Sequence, residues 1–113
     1  MALSLETAER DGLTIITVTG EVDLYSSPNL RTAVTKAVGK TGHVAIDLSS
    51  VAYMDSSGVA TLVEGLRAAM DKGVAFQLVA PSQSIMKVLQ LSRLDSVFDI
   101  RAEAGVPQHP GES

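Results

Sequence analysis

From Leu3 to Glu9 the chain alternates, with Leu3, Leu5 and Thr7 on one side of the pattern and Ser4 and Glu6 on the other. A period of two marks a strand with one buried face. Asp11-Gly12 follows, a dipeptide suited to the tight turn of a hairpin, and the β-branched run Thr14-Ile15-Ile16-Thr17-Val18-Thr19 predicts the partner strand over 13–19, ended by Gly20. Ser27-Pro28 then reads as a helix start, with the hydroxyl at the N-cap and the proline in the first turn. Leu30, Ala33, Val34, Ala37 and Val38 recur at helical spacing and form one apolar stripe that Gly39 or Gly42 can end.

Strand character returns over 43–48, where Val44, Ile46 and Leu48 alternate with Ala45 and Asp47. After residues 49–55 a second amphipathic helix is predicted from about Ser57 to Lys72, with Val59, Leu62, Val63, Leu66 and Met70 on its apolar face and Gly73 as its cap. The apolar run 74–80 has strand length. Ser82 or Ser84 can cap a third helix carrying Ile85, Met86, Val88 and Leu89, and residues 97–100 fit a short edge strand. A hairpin followed by strand-helix alternation predicts an α/β domain with a mixed sheet of four to five strands flanked by helices, parallel in its later part. The expected domain is 1–102, with 103–113 a flexible tail because Gly105, Pro107, Pro110 and Gly111 interrupt it.

Length and composition narrow the function. The 113 residues suit one domain, and a hydrophobic content of 45% supports one core. A net charge of -4 lacks the Lys/Arg excess that binding to a nucleic-acid backbone requires. Cysteine is absent, which removes disulfides, thiolate metal sites and cysteine nucleophiles. No apolar run reaches the roughly 20 residues of a membrane span, and the first residues lack a basic, then apolar, leader pattern, so a cytoplasmic setting without membrane insertion is expected.

The candidate chemistry concentrates in Tyr53-Met54-Asp55-Ser56-Ser57-Gly58-Val59, at the entry to the second helix. A helix N-terminus presents free amides and the positive end of the dipole, so a phosphate on a serine there is tolerated. Asp and Ser are also the ordinary N-cap residues, and capping alone accounts for one of them. Gly58 is a poor helix former, which leaves room for close approach by a partner backbone. Serine hydrolysis would need a base near Ser56 or Ser57, yet the histidines, His43 and His109, lie at a strand start and in the tail. Asp23, Asp47 and Asp55 are isolated carboxylates without metal-ligand spacing, and no cofactor is expected.

Two segments carry a family resemblance. Gly20-Glu21-Val22-Asp23-Leu24 and Met54-Asp55-Ser56-Ser57-Gly58-Val59 resemble the two signature segments of STAS domains, and within them of the anti-anti-sigma proteins (anti-sigma factor antagonists). The similarity continues through Lys72-Gly73-Val74, Val79-Ala80-Pro81 and residues 88–94. It implies a STAS fold and a non-enzymatic partner switch. In that switch the unphosphorylated protein binds an anti-sigma factor that is also an ATP-dependent serine kinase. Phosphorylation of Ser56 releases it, and a serine phosphatase reverses the change. It also implies that Ser57 caps the helix or substitutes poorly as the acceptor, and that Asp23, Tyr25, Ser26, Asp55, Ser57 and Gly58 meet the partner. The same fold serves as an accessory subunit of phospholipid-transport ABC systems, where docking needs no phosphorylation cycle.

Overall fold

The computed structural model describes residues 3–40 and 42–105. Its elements are β1 (Ser4–Arg10), β2 (Leu13–Val22), α1 (Ser27–Gly39), β3 (His43–Met54), α2 (Ser56–Lys72), β4 (Phe76–Val79), α3 (Gln83–Leu91) and β5 (Asp99–Arg101). The five strands form one sheet in the order β1-β2-β3-β4-β5. The β1/β2 pair is antiparallel and every later pair is parallel. The hairpin turn is the one expected: Asp11 and Gly12 both have positive φ, 54° and 81°, the geometry that matches strand twist and that glycine adopts without strain.

Strand alternation divides the sheet into two unequal faces. Ile16, Val18, Val44, Ile46, Leu48, Phe76 and Leu78 project to the side where Leu30, Val34 and Val38 of α1, Leu62 and Ala69 of α2, and Ile85 and Leu89 of α3 complete the main core. On the other face the described residues form a smaller cluster of Leu13, Ala45 and Val79, with Ile15, Ala80 and Ala104 packed against them. There the Gln77 amide, fully buried, accepts a hydrogen bond from the Gly105 amide and donates one to its carbonyl. Ala104 and Gly105 therefore rejoin the sheet beyond the boundary expected at residue 102, while 106–113 lie outside the described residues.

Several boundaries differ from the expectations, each because a distant neighbour decides it. Strand β2 continues past Gly20, whose φ of 108° accommodates an irregularity in the pairing, and reaches Val22. Strand β3 runs six residues beyond Leu48, because Ser50, Val51, Tyr53 and Met54 pair with Thr19, Gly20, Glu21 and Val22. Strand β4 pairs with β3 only as far as Asp47, so β2 and β3 project past it as a two-stranded ribbon. Ser82 fills part of the missing edge: its amide donates to the Leu48 carbonyl and its hydroxyl to the Val51 carbonyl at 2.7 Å. It thus occupies the N-cap position of α3 without capping it by its side chain. On α2, Met70 is 69% exposed and Ala69 takes the buried place.

Candidate functional site

The tip of the β2/β3 ribbon carries both signature segments. Asp55 donates its amide to the Val22 carbonyl at 3.0 Å, so the residue after β3 is held against the end of β2. From there the two chains diverge, one into the 23–26 loop and the other into α2. Parallel pairing of Val22 with Met54 is what places Asp23 beside Asp55, although 32 residues separate them in sequence.

Asp55 is the N-cap of α2, and its carboxylate accepts from the Ser57 amide at 2.9 Å and from the Ser57 hydroxyl at 2.5 Å. The expectation that Ser57 caps the helix is thus corrected: helix α2 begins at Ser56, and an Asp one residue before it reaches the amide of the second helical residue. The Ser57 hydroxyl bond, ahead of its amide and those of Gly58 and Leu24, holds the Asp55 carboxyl below the usual 3.8 against the opposing effect of partial burial. Ser56 is the first residue of the helix and is exposed. Of the two adjacent serines, one is engaged by the cap and the other faces solvent.

The neighbouring loop is locked in the same way. Asp23 accepts from the amides of Tyr25 and Ser26, each at 2.9 Å, and its own amide donates to the Ser26 hydroxyl at 2.9 Å. That hydroxyl also reaches the Glu21 carbonyl at 3.0 Å. The Ser26 amide is the largest cause holding the Asp23 carboxyl below 3.8, while the nearby Asp55 charge works in the opposite direction. Helix α1 therefore starts at Ser27, one residue earlier than a Ser27 cap implies, with Ser27 buried and its amide donated to the Asp23 carbonyl.

Gly58 is buried, which gives it a different purpose from the partner approach expected of it. A Cβ there would stand 2.5 Å from Met54 Cγ and 2.8 Å from Val22 Cγ1, so its small size lets α2 settle on the ribbon that supports the site. Asp23, Tyr25, Ser26, Asp55, Ser56 and Ser57 are all gathered at this one pole. Two apolar residues not anticipated there join them: Leu24 is 67% and Tyr53 51% exposed, beside Tyr25 at 89%. In the sequence both look like ordinary strand or loop-edge residues, and only an apolar side chain in a turn between polar neighbours hints at them.

His43 lies at the opposite end of β3, where its Nδ1 accepts from the Ala75 amide at 2.9 Å. At about 3.3 Å per residue the strand separates it from Ser56 by roughly 30 Å or more. It cannot serve as a base for that hydroxyl. Among the described residues no group of three His, Asp or Glu side chains gathers as a metal site, and no helix is long and apolar enough to cross a membrane.

A STAS domain model matches residues 4–105, which includes every strand and helix described above. The chain belongs to the STAS domain family. It is 31% identical over 107 residues to the anti-sigma-B factor antagonist of Listeria monocytogenes, covering 93% of this chain and 94% of that protein. The crystal structure of an anti-sigma factor antagonist from Mycobacterium paratuberculosis superposes with a TM-score of 0.82 at 24% identity, over 90% of this chain and 87% of the other. The Bacillus cell fate determinant SpoIIAA in its phosphorylated form superposes with a TM-score of 0.69 at 26% identity, over 90% and 92%. The five-stranded mixed sheet with three helices is the STAS fold expected from the sequence.

Proposed function

We propose that this protein is an anti-sigma factor antagonist that works in the cytoplasm as a phosphorylation-controlled binding switch, with Ser56 as the residue modified. The observation that carries this reading is the division of labour between the two serines. Ser57 is bound at both its amide and its hydroxyl by Asp55, whereas Ser56 stands exposed on the first turn of α2. The names of the relatives support the partner class, an anti-sigma factor. The finer assignment is that this anti-sigma factor is also the ATP-dependent serine kinase for Ser56 and that a serine phosphatase resets it.

The switch needs no large rearrangement. A phosphoserine at residue 56 adds about -1.5 to -2 charge at neutral pH. It would sit next to Asp55 and near Asp23, two carboxylates held ionised by their hydrogen bonds. Local negative charge therefore accumulates at the pole that also presents Leu24, Tyr25 and Tyr53. A partner surface that buries those apolar side chains must then desolvate a dianion as well. A penalty of about 3 to 4 kcal/mol lowers affinity several hundredfold, enough to release the partner. Ser56 is exposed at the positive end of the α2 dipole, so the domain carries the phosphate without unfolding.

Nothing in the arrangement favours turnover of a substrate at Ser56, since its nearest acidic neighbour is committed to capping and His43 is remote. We therefore read the site as a binding surface, with Asp23, Tyr25, Ser26, Asp55 and Ser57 shaping the contact and Gly58 supporting it from below. The test is incubation of the protein with its cognate anti-sigma factor and ATP, followed by mass spectrometry of the intact chain and its peptides. One phosphate on Ser56, absent in Ser56→Ala but present in Ser57→Ala, is the expected result. Unchanged phosphorylation of Ser56→Ala removes the assignment.

A further inference from the structure

Strand β1 is an edge strand whose outer side pairs with nothing among the described residues, and six of its seven residues are exposed. We infer that this edge is a self-association surface, on which a second copy of the chain adds its own β1 antiparallel to form a continuous ten-stranded sheet.

The hairpin turn sets the geometry. Arg10 and Leu13 flank a two-residue turn, so they form the closing hydrogen-bonded pair. Backbone bonding alternates along an antiparallel pair, which directs the N–H and C=O groups of Arg10, Ala8, Glu6 and Ser4 toward β2 and those of Glu9, Thr7 and Leu5 outward. The side chains of Glu6, Ala8 and Arg10 share the sheet face opposite α1, α2 and α3, since their partners on β2 are Thr17, Ile15 and Leu13.

A two-fold axis perpendicular to the sheet must pass through one residue of β1, because side chains directly opposite each other lie on the same face. Centred on Glu6, the pairing sets Glu6 against its own copy. Centred on Thr7, it sets Arg10 against Ser4, Glu9 against Leu5 and Glu6 against Ala8. Centred on Ala8, it sets Glu6 of each copy opposite Arg10 of the other, twice by symmetry, with Ala8 facing Ala8 between them. Thr7 and Glu9, whose backbone groups point outward, then become the hydrogen-bonded pairs and supply four interchain backbone bonds. Glu6 and Arg10 fall at non-hydrogen-bonded positions, where opposed side chains are closest.

This register alone combines two opposite-charge pairs with no like-charge pair. Neither Glu6 nor Arg10 has an ion-pair partner among the described residues, whereas Glu9 is engaged by Lys40. Complementary charges at both ends of a small central residue favour a specific self-pairing in place of the repulsion that usually protects an edge. The axis lies beyond β1, two strands away from β3, and reverses the second copy, so the Ser56 turns stand at opposite ends of the dimer and both remain open.

The test is sedimentation equilibrium of the full chain, from about 10 μM to 1 mM because a single strand pair gives a small and therefore weak interface. The expected mass rises with concentration from 11.8 kDa toward twice that value. Glu6→Arg and Arg10→Glu, each placing like charges opposite one another twice, are expected to weaken association by about tenfold or more. The double variant Glu6→Arg/Arg10→Glu restores it to within about threefold of wild type, since the pairs are rebuilt in reverse. Both residues are exposed, so circular dichroism and thermal unfolding should stay close to wild type. A wild-type chain that remains monomeric at the highest concentration overturns the proposal. So does a dimer indifferent to the single reversals, or one that the double variant fails to restore.

Discussion

The Asp55 carboxylate holds Ser57 by two hydrogen bonds, 2.9 Å from its amide and 2.5 Å from its hydroxyl. One side chain thereby starts helix α2 and distinguishes two serines that the sequence presents as near equals. The consequences can be measured at the cap, in acid, in the packing beneath the site and at the surface around it.

Asp55→Ala removes the acceptor and leaves the first turn of α2 uncapped. The Ser57 amide is expected to exchange hydrogen at least about tenfold faster, while Leu62 and Ala69 amides deeper in the helix keep their protection. Amide exchange followed by NMR reads this directly, and equal protection in both proteins would show that the cap is not what orders the turn.

Acid should loosen both loops together. Asp23 and Asp55 are held below 3.8 in the folded protein, so an unfolded chain binds their protons first as pH falls. Their contribution to stability is complete above 3.8 and is lost as pH drops through their lowered folded values. Urea unfolding between pH 6 and 2 is expected to show a decline that is shallower in the Asp23→Asn/Asp55→Asn variant. A decline of equal steepness in both would assign the acid sensitivity to other carboxylates.

Gly65 and Gly39 offer a paired test of packing. A Cβ on Gly65 would lie 2.6 Å from Val34 Cγ1 and 2.8 Å from the Phe76 ring, where α2 crosses α1 above β4. Gly65→Ala is expected to cost about 1 to 3 kcal/mol through overpacking. A Cβ on Gly39 meets nothing within 4 Å, so Gly39→Ala is expected to be neutral or to stabilise by up to about 1 kcal/mol. Chemical denaturation of the two variants gives the comparison, and a reversed order would contradict the helix contact described.

Leu24, Tyr25 and Tyr53 are exposed around Ser56 and add little to the core. Alanine at any of them is expected to leave thermal stability within about 0.5 kcal/mol of wild type. If they anchor the anti-sigma factor, at least one replacement weakens its binding tenfold or more. Isothermal titration with the cognate partner separates the two effects, and three variants with undiminished affinity would move the interface elsewhere.

Gln77 links β4 to the end of the described chain. It is fully buried and bonds both backbone groups of Gly105, so Gln77→Leu leaves those groups without these partners. A loss of about 1 to 3 kcal/mol is expected, together with faster proteolysis near residues 102–105. Limited proteolysis with mass analysis checks the second effect independently of global unfolding.

What the sequence determined by itself was the set of elements and their order. A period of two in Leu3-Leu5-Thr7 and Val44-Ile46-Leu48, and of 3.6 in Leu30-Val34-Val38, are properties of single segments facing one core. The Asp11-Gly12 turn and the Asp55-Ser56-Ser57-Gly58 helix entry are equally local, because a few backbone angles or one cap settle them. Tertiary structure decided whatever depends on a neighbour far along the chain. Ser49, Ser50, Ala52 and Tyr53 have the look of a loop, and become strand only because the end of β2 supplies hydrogen-bond partners. Asp23 meets Asp55, Gln77 meets Gly105, and Ser82 spends its hydroxyl on Val51 instead of its own helix for the same reason. A side chain's periodicity records which way it faces, whereas its hydrogen-bond partner is chosen by the chain that folds against it.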